Sequence, residues 1–308
     1  MRDTVSVIIT TKNEADRLPA CLESIKKQTY KHIETIVVDN HSSDATKDIA
    51  KNFGVRVLDE GPERSAQRNF GAQKSKGKYL LFLDADMELT PGVVGECVKI
   101  MGHKTMSRGQ KAENPSASSG LRTGIAENNK QDCSLLIDHC PNLLALVIPE
   151  KSFGIGFWAQ CKALERSFYL NVPWIESARF FQKKAYLVVG GYDETLTGPE
   201  DFELAQRVKQ HFGEECTGRI SSFILHNEGK LSLGKTLKKK YYYGKKMSEY
   251  RKKQSAKGYF DKQANIFERY RLFFRKSSII RHSPITFGGM VIMKTLEMGA
   301  VMIGANFR

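Results

Sequence analysis

From residue 5 to residue 84 the chain repeats one pattern: an apolar run of strand length followed by a helix-length amphipathic stretch. The runs at 5–10, 34–39, 55–58 and 79–84 read as strands and 18–28, 43–53 and 63–76 as helices, with Gly54 and Gly77 at breaks between them. Strands and helices alternating at this spacing make βαβ units. The expected fold class is therefore α/β, a Rossmann-like, mostly parallel sheet with flanking helices. In such sheets ligands sit beyond the carboxyl ends of the strands, which is where Glu14, Asp39 and Asp84 fall. Three acids converge on one edge.

A helix is expected at 91–101, after which 103–132 is rich in Ser, Gly, Asn and Lys and reads as a mobile insertion. Regular pattern resumes at 143–148, followed by a helix at 157–168, a strand at 179–182, a helix at 200–211 and a last strand at 221–225 that ends at His226. The six cysteines, Cys21, Cys97, Cys133, Cys140, Cys161 and Cys216, form no C-x-x-C pair and no grouping with His. Neither a zinc site nor a disulfide framework is signalled, and a reducing cytoplasm fits. The first strand follows Met1 so closely that no cleaved leader is expected.

Charge divides the chain in two. Residues 230–281 hold 17 Lys and Arg against three acids, a balance of +14, which is the net charge of the whole chain; the remainder carries 31 charges of each sign. A domain at 1–229 and a basic, amphipathic helical extension at 230–308 are expected. Within the extension, Tyr241, Tyr242 and Tyr243 interleave with lysines, and Ile266, Tyr270, Phe273 and Phe274 recur at helical spacing among arginines. Rings beside cations suit the headgroup zone of an anionic membrane. A solvated helix face and nucleic-acid binding are the alternatives, and no recognised nucleic-acid motif accompanies the charge. The tail at 284–307 is long enough to span a bilayer, but Lys294 and Glu297 near its middle disfavour a span. An in-plane helix, or one docked on the domain, is expected instead.

Two groups of acids carry chemistry. Asp84-Ala85-Asp86 closes the apolar strand Leu80-Leu81-Phe82-Leu83, and a carboxylate pair held at a strand mouth suits Mg2+ or Mn2+, whose remaining positions go to water or phosphate. Gly198-Pro199-Glu200-Asp201 puts two acids at a helix start, where they either cap free amides or carry a base facing a pocket. Arg64 and Arg68 follow a helical spacing that lets them reach phosphates or lie on the helix surface.

In order, these motifs resemble the family 2 glycosyltransferases, inverting nucleotide-sugar enzymes with the glycosyltransferase A fold. The resemblance covers about residues 5–229. It rests on Val5-Ser6-Val7-Ile8-Ile9-Thr10-Thr11-Lys12-Asn13-Glu14, Val37-Val38-Asp39-Asn40-His41-Ser42-Ser43-Asp44, Arg68-Asn69-Phe70-Gly71, Asp84-Ala85-Asp86 and Glu200-Asp201. Two departures stand beside the base pocket: the family often has Pro-Thr-Tyr-Asn at residues 10–13 and Asp-Asp-Gly-Ser at 39–42.

The resemblance implies a metal-dependent inverting transferase that moves a sugar from a nucleoside diphosphate to an acceptor hydroxyl. Thr11 and Glu14 would line the nucleotide pocket, and Asp39 would bond the base. Arg68 and Ala85 would stand on the donor side, Asp84 would approach the ribose or a metal-bound water, and Asp86 would hold Mn2+ or Mg2+ on the diphosphate. Asp201 would be the base and Glu200 would orient acceptor or helix. His226, placed after the base-bearing helix, would complete the metal site, while Trp174 and Glu176 are candidate acceptor contacts. The implied partners are a nucleotide sugar, a sugar or lipid-linked acceptor and an anionic membrane at the inner face of the cell membrane, with no nucleic acid. A polyprenyl-phosphate glycosyltransferase, needing little help from Asp201, is the near alternative. A nucleic-acid-binding protein with an inactive transferase domain is the distant one.

Overall fold

The computed structural model describes residues 3–102, 143–253, 265–274 and 283–305. The expected insertion at 103–132 lies outside them. Strands β1 (Val5–Thr11), β2 (Ile33–Asp39), β3 (Arg56–Asp59) and β4 (Tyr79–Asp84) pair in parallel, connected by helices α1 (Leu18–Lys26), α2 (Thr46–Asn52) and α3 (Arg64–Lys74). After β5 (Met87–Leu89) and α4 (Val93–Gly102), the sheet is extended by β6 (Ala145–Val147), β8 (Ala178–Gln182) and β9 (Thr217–Arg219), giving seven strands in the order β3-β2-β1-β4-β8-β6-β9. Strand β8 runs antiparallel to both neighbours, β4 and β6; the sheet is otherwise parallel. The α/β expectation holds.

Residues alternate across β1 because side chains in a strand point to opposite faces. Val5, Val7 and Ile9 pack with Leu18, Cys21 and Leu22 of α1 and Val93, Val94 and Cys97 of α4. Ile8 faces the other layer with Ile36, Val38, Leu80, Phe82 and Ala72 of α3. Both faces are covered, which is why these strands read as unbroken apolar runs. The close approach of α3 depends on Gly71, where a Cβ would stand 2.5 Å from Ile8 Cγ2 and 3.0 Å from Val38 Cγ2. Gly71→Ala is therefore expected to destabilise the fold by about 1–3 kcal/mol through overpacking. Urea unfolding measures it.

The edge is set by register. Thr10 lies opposite Asp84 and Thr11 opposite Asp39, so the acids that close β2 and β4 share one rim with the end of β1.

A second, three-stranded sheet crosses that rim, in the order β5-β10-β7, with β7 spanning Glu150–Ile155 and β10 Ile224–Lys230. Here the expectation of a last strand at 221–225 is corrected. The Ser221 and Ser222 amides instead donate to the Glu96 carboxylate at 2.7 and 2.9 Å, which holds them in a turn. The strand then runs through His226 to Lys230, paired with β5 on one side and β7 on the other. The boundary expected at residue 229 thus falls inside a strand.

The remaining helices are α5 (Phe157–Tyr169), α6 (Lys183–Val188), α7 (Glu200–Phe212), α8 (Leu233–Lys252), α9 (Ile266–Phe274) and α10 (Pro284–Gly304). Helix α10 packs on α8 and α5, and α9 also packs on α5. Among the described residues α10 is the one helix long and apolar enough to cross a membrane. Cys21, Cys97, Cys161 and Cys216 are buried and unbridged.

Candidate active site

Two loops on the rim are stapled together. Asn13, after β1, receives the Ser43 amide on its side-chain oxygen at 2.8 Å, and its own amide donates to Ser42 Oγ at 2.8 Å. The Glu14 amide donates to Thr46 Oγ1 at the start of α2. Asn13 and His41 adopt φ values of 54° and 48°, in the left-handed region. At His41 that conformation explains why related sequences often carry glycine there. Asp39 is fully enclosed behind this turn, taking bonds from Thr11 Oγ1 at 2.8 Å, the Ser42 amide at 2.7 Å and Ser42 Oγ at 2.6 Å.

Across the rim the acids are joined by arginines. Arg68, fully buried on α3, donates to Asp84 Oδ1 at 2.9 Å and Asp201 Oδ1 at 3.2 Å, with Glu200 at 3.5 Å and the Tyr192 ring at 4.9 Å. Its guanidinium is bonded to three carboxylates and shielded from solvent. Arg64 adds pairs to Asp84 at 3.6 Å and Glu200 at 3.3 Å. Burial opposes the charge on Asp84, but Arg68, Arg64 and Arg179 outweigh it and hold the carboxyl well below the usual range. Thr10 Oγ1 also donates to it at 3.0 Å, so Asp84 anchors the arginine network. Ala85, 3% exposed, packs in the core, so its side chain does not face the donor side.

Asp86 differs from Asp84. Its Oδ1 is enclosed and accepts no hydrogen bond, while Oδ2 lies 3.3 Å from His226 Nε2. The second sheet creates this pair, since the Asn227 amide donates to the Asp86 carbonyl at 2.8 Å. Behind it, His226 Nδ1 lies 3.5 Å from Glu150 on β7. Burial disfavours the imidazolium, but the bonds to Asp86 and Glu150 prevail and lift the His226 pKa to about 9. Among the described residues no group of three or more His, Cys, Asp or Glu side chains is arranged to hold a metal unaided. An orphaned carboxylate oxygen beside an imidazole does fit a hard divalent cation whose other ligands come from a phosphate-bearing substrate.

Glu14 completes this side. Burial raises its pKa, Arg17 at 3.3 Å pulls the other way, and the nearby Asp86 and Asp84 add to the rise. Asp201, at the first turn of α7, keeps one oxygen on Arg68 and has the other 4.0 Å from Arg179, with its side chain 24% exposed. Glu200 is only 2% exposed, and its carboxylate receives the Gly198 amide as well as Arg64. It shapes the turn that delivers Asp201. Trp174 and Glu176 are tied outside this cluster: Arg269 lies over the Trp174 ring at 5.8 Å, and Arg219 binds Glu176 at 2.8 Å.

Three participants were not legible as such. Glu150 links His226 to Arg179 and Arg166, which, with His226, hold its carboxyl below the usual range against the effect of burial. Arg179, 8% exposed, connects Glu150 to Asp201. Gln67 donates to the Thr11 and Val38 carbonyls at 3.1 and 2.6 Å, fixing both strand ends. An ionic chain therefore runs from Asp86 through His226, Glu150, Arg179, Asp201 and Arg68 to Asp84.

Residues 6–107, which hold β1 to β5 and α4, match the family described as Glycosyl transferase family 2. Glycosyltransferase AglE of Haloferax volcanii is 42% identical over 91 residues, 27% of this chain and 30% of the relative; the chain thus spans under a third of that relative's length. Among solved structures, the mannosyltransferase PcManGT from Pyrobaculum calidifontis, in complex with GDP-Man and Mn2+, matches 100% of this chain and 88% of its own, with TM-score 0.58 and 12% identity. S. aureus TarS in complex with UDP-GlcNAc matches 98% of this chain and 90% of its own, with TM-score 0.51 and 13% identity. At such identity the likeness is one of fold. Sequence and architecture agree: residues 6–107 match the family 2 glycosyltransferases, and the chain has the glycosyltransferase A fold of these structural neighbours.

Proposed function

We propose that the chain transfers a sugar, with inversion, from a nucleoside-diphosphate donor to an acceptor hydroxyl, a lipid-linked acceptor fitting best, at the cytoplasmic face of an anionic membrane. The observation that carries this reading is the enclosed, unpartnered Oδ1 of Asp86 beside His226 at the mouth of β4. Neighbours of the same fold hold GDP-Man with Mn2+ and UDP-GlcNAc in their structures. Asp86 and His226 would hold Mn2+ or Mg2+, and when bound there the cation neutralises charge on the departing nucleoside diphosphate.

The chain's own residues do the rest. Thr11, Glu14 and the stapled loops after β1 and β2 form the nucleotide side. Asp201 takes the proton of the acceptor hydroxyl as its oxygen bonds to the anomeric carbon and the bond from that carbon to the phosphate oxygen breaks. Arg68 holds Asp201 in place through Oδ1 and leaves Oδ2 with Arg179 at 4.0 Å as its nearest cation.

Asp86→Ala is expected to abolish the tightening of UDP or GDP binding by Mn2+ while leaving the fold intact. Titration calorimetry with and without Mn2+ tests it, and undiminished coupling in the variant would overturn the assignment.

A further inference from the structure

Helix α10 buries Met290 and Met293 against the domain but departs from a helix of a soluble domain in where its charges and branched aliphatics lie. Its two charged residues, Lys294 and Glu297, face inward and are 7% and 1% exposed. They meet Lys162 and Glu165 of α5, themselves 9% and 1% exposed, in a closed quartet. Lys162 Nζ lies 2.7 Å from Glu165 and 3.0 Å from Glu297, and Lys294 Nζ lies 2.6 Å from Glu165. These four charges balance, and Lys240 of α8 also lies near them, where burial leads in bringing its pKa down to about 7. Meanwhile Ile285, Ile292, Leu296 and Ile303 are 80, 57, 43 and 71% exposed. Spacings of seven, four and seven residues put them on one stripe, about 27 Å long at 1.5 Å per residue. Phe157, 41% exposed, abuts the helix at Gly289 and widens the stripe. A water-facing helix normally shows the reverse pattern.

We infer that this stripe is the seat of the protein on an anionic lipid bilayer, with α10 lying in the plane of the interface. The partner is identified by charge as well as apolarity. The segment 230–281 carries the chain's entire +14, and α8, which packs along α10, exposes Lys238, Lys239 and Lys245. An aliphatic stripe gives nucleic acid nothing to stack on or to hydrogen-bond, whereas aliphatic burial beside clustered lysines is what acidic lipid headgroups over acyl chains reward. The quartet explains why the helix lies flat: spanning would strip Lys294 and Glu297 from Lys162 and Glu165 and place both in hydrocarbon.

Helix α8 joins this seat to the catalytic rim. The Tyr241 and Gly244 backbone touches Gly304 and Val301 of α10. On the same turn, the Tyr243 hydroxyl accepts from Arg64 at 3.2 Å and its ring covers Gly198, three residues before Asp201. The acceptor is thereby taken from the bilayer, a consequence that rests on the transferase reading above; the seat itself does not.

The test uses the full chain and the double variant Ile292→Ser, Leu296→Ser, which keeps every charge. Both are sedimented with vesicles of phosphatidylcholine alone and of phosphatidylcholine mixed with phosphatidylglycerol, at low salt and at about 1 M salt, where the Debye length is about 3 Å. The parent is expected to bind the acidic vesicles more strongly than the neutral ones at low salt and to keep a salt-resistant fraction. The variant should lose that fraction by about tenfold or more, with its melting curve and Mn2+-dependent nucleotide binding unchanged. Equal sedimentation of variant and parent at high salt overturns the seat. So does a parent dimer that the variant abolishes while vesicle binding persists, since the stripe then belongs to a second copy. Failure of nucleotide binding in both proteins, with vesicle binding intact, counts against the transferase reading alone.

Discussion

Asp201→Asn is expected to lower turnover by about 100-fold or more while donor affinity stays near that of the parent. The substitution keeps the size and one hydrogen-bonding oxygen for Arg68, so the rim retains its shape. What it removes is a carboxylate able to accept the acceptor's proton. Glu200, the neighbouring acid, cannot replace it, because it is buried on the Gly198 amide and Arg64. Steady-state rates with saturating nucleotide sugar, alongside calorimetric donor affinity, separate the two effects. Retained turnover would favour a phosphate acceptor, which needs no base.

Arg68→Met is expected to cost about 3–5 kcal/mol of stability, because it leaves three carboxylates facing one another around an uncompensated site. Arg64 and Arg179 stay near Asp84 and Asp201 and place the loss toward the lower end. The penalty should depend on pH in a defined sense. Burial raises the pKa of Asp84, but Arg68 leads the cations that more than offset it. A depressed carboxyl contributes stability above its unfolded pKa, and that contribution is lost as pH falls through the folded value. The gap between parent and variant should therefore be full at neutral pH and shrink below about pH 4, where carboxylates of the unfolded chain protonate. Urea midpoints across that range measure it, and equal stability at neutral pH would show that the network does not depend on Arg68.

The parts of the site that were legible lie at the ends of β1, β2 and β4. Their strands are buried on both faces, so they appear as apolar runs, and the acids that end β2 and β4 are visible as breaks in them. Glu14, Asp39 and Asp84 could be placed on one edge from that pattern alone. The second sheet could not. Strand β7 turns Lys151, Phe153 and Ile155 outward and keeps Glu150, Ser152 and Gly154 partly covered, an alternation opposite to the usual apolar-inside signal. Beyond Ile224 and Leu225, β10 reads His226-Asn227-Glu228, polar residues that become strand because β5 and β7 flank them. The partners of His226 were hidden for the same reason.

The roles of the arginines were also undecided by spacing. Arg64 and Arg68 lie on one face of a helix whether they bind phosphate or carboxylate. Only packing α3 between the Asp84 strand and the Asp201 turn commits Arg68 to three acids. Likewise the charges of α10 argued against a span, but whether they met water, lipid or protein depended on Lys162 and Glu165, more than a hundred residues earlier.

The sequence by itself determined the βαβ order, the edge on which the acids gather, the family match of residues 6–107 and the concentration of charge after residue 229, because these follow from periodicity and residue type along short stretches of chain. The tertiary structure alone decided that Asp84 anchors arginines while Asp86 keeps an unpartnered oxygen beside His226, and that α10 buries its charges and shows an aliphatic stripe. A side chain's partners are set by which distant strands and helices pack against it, and burial lets the nearest opposite charge outweigh any role the local motif suggests.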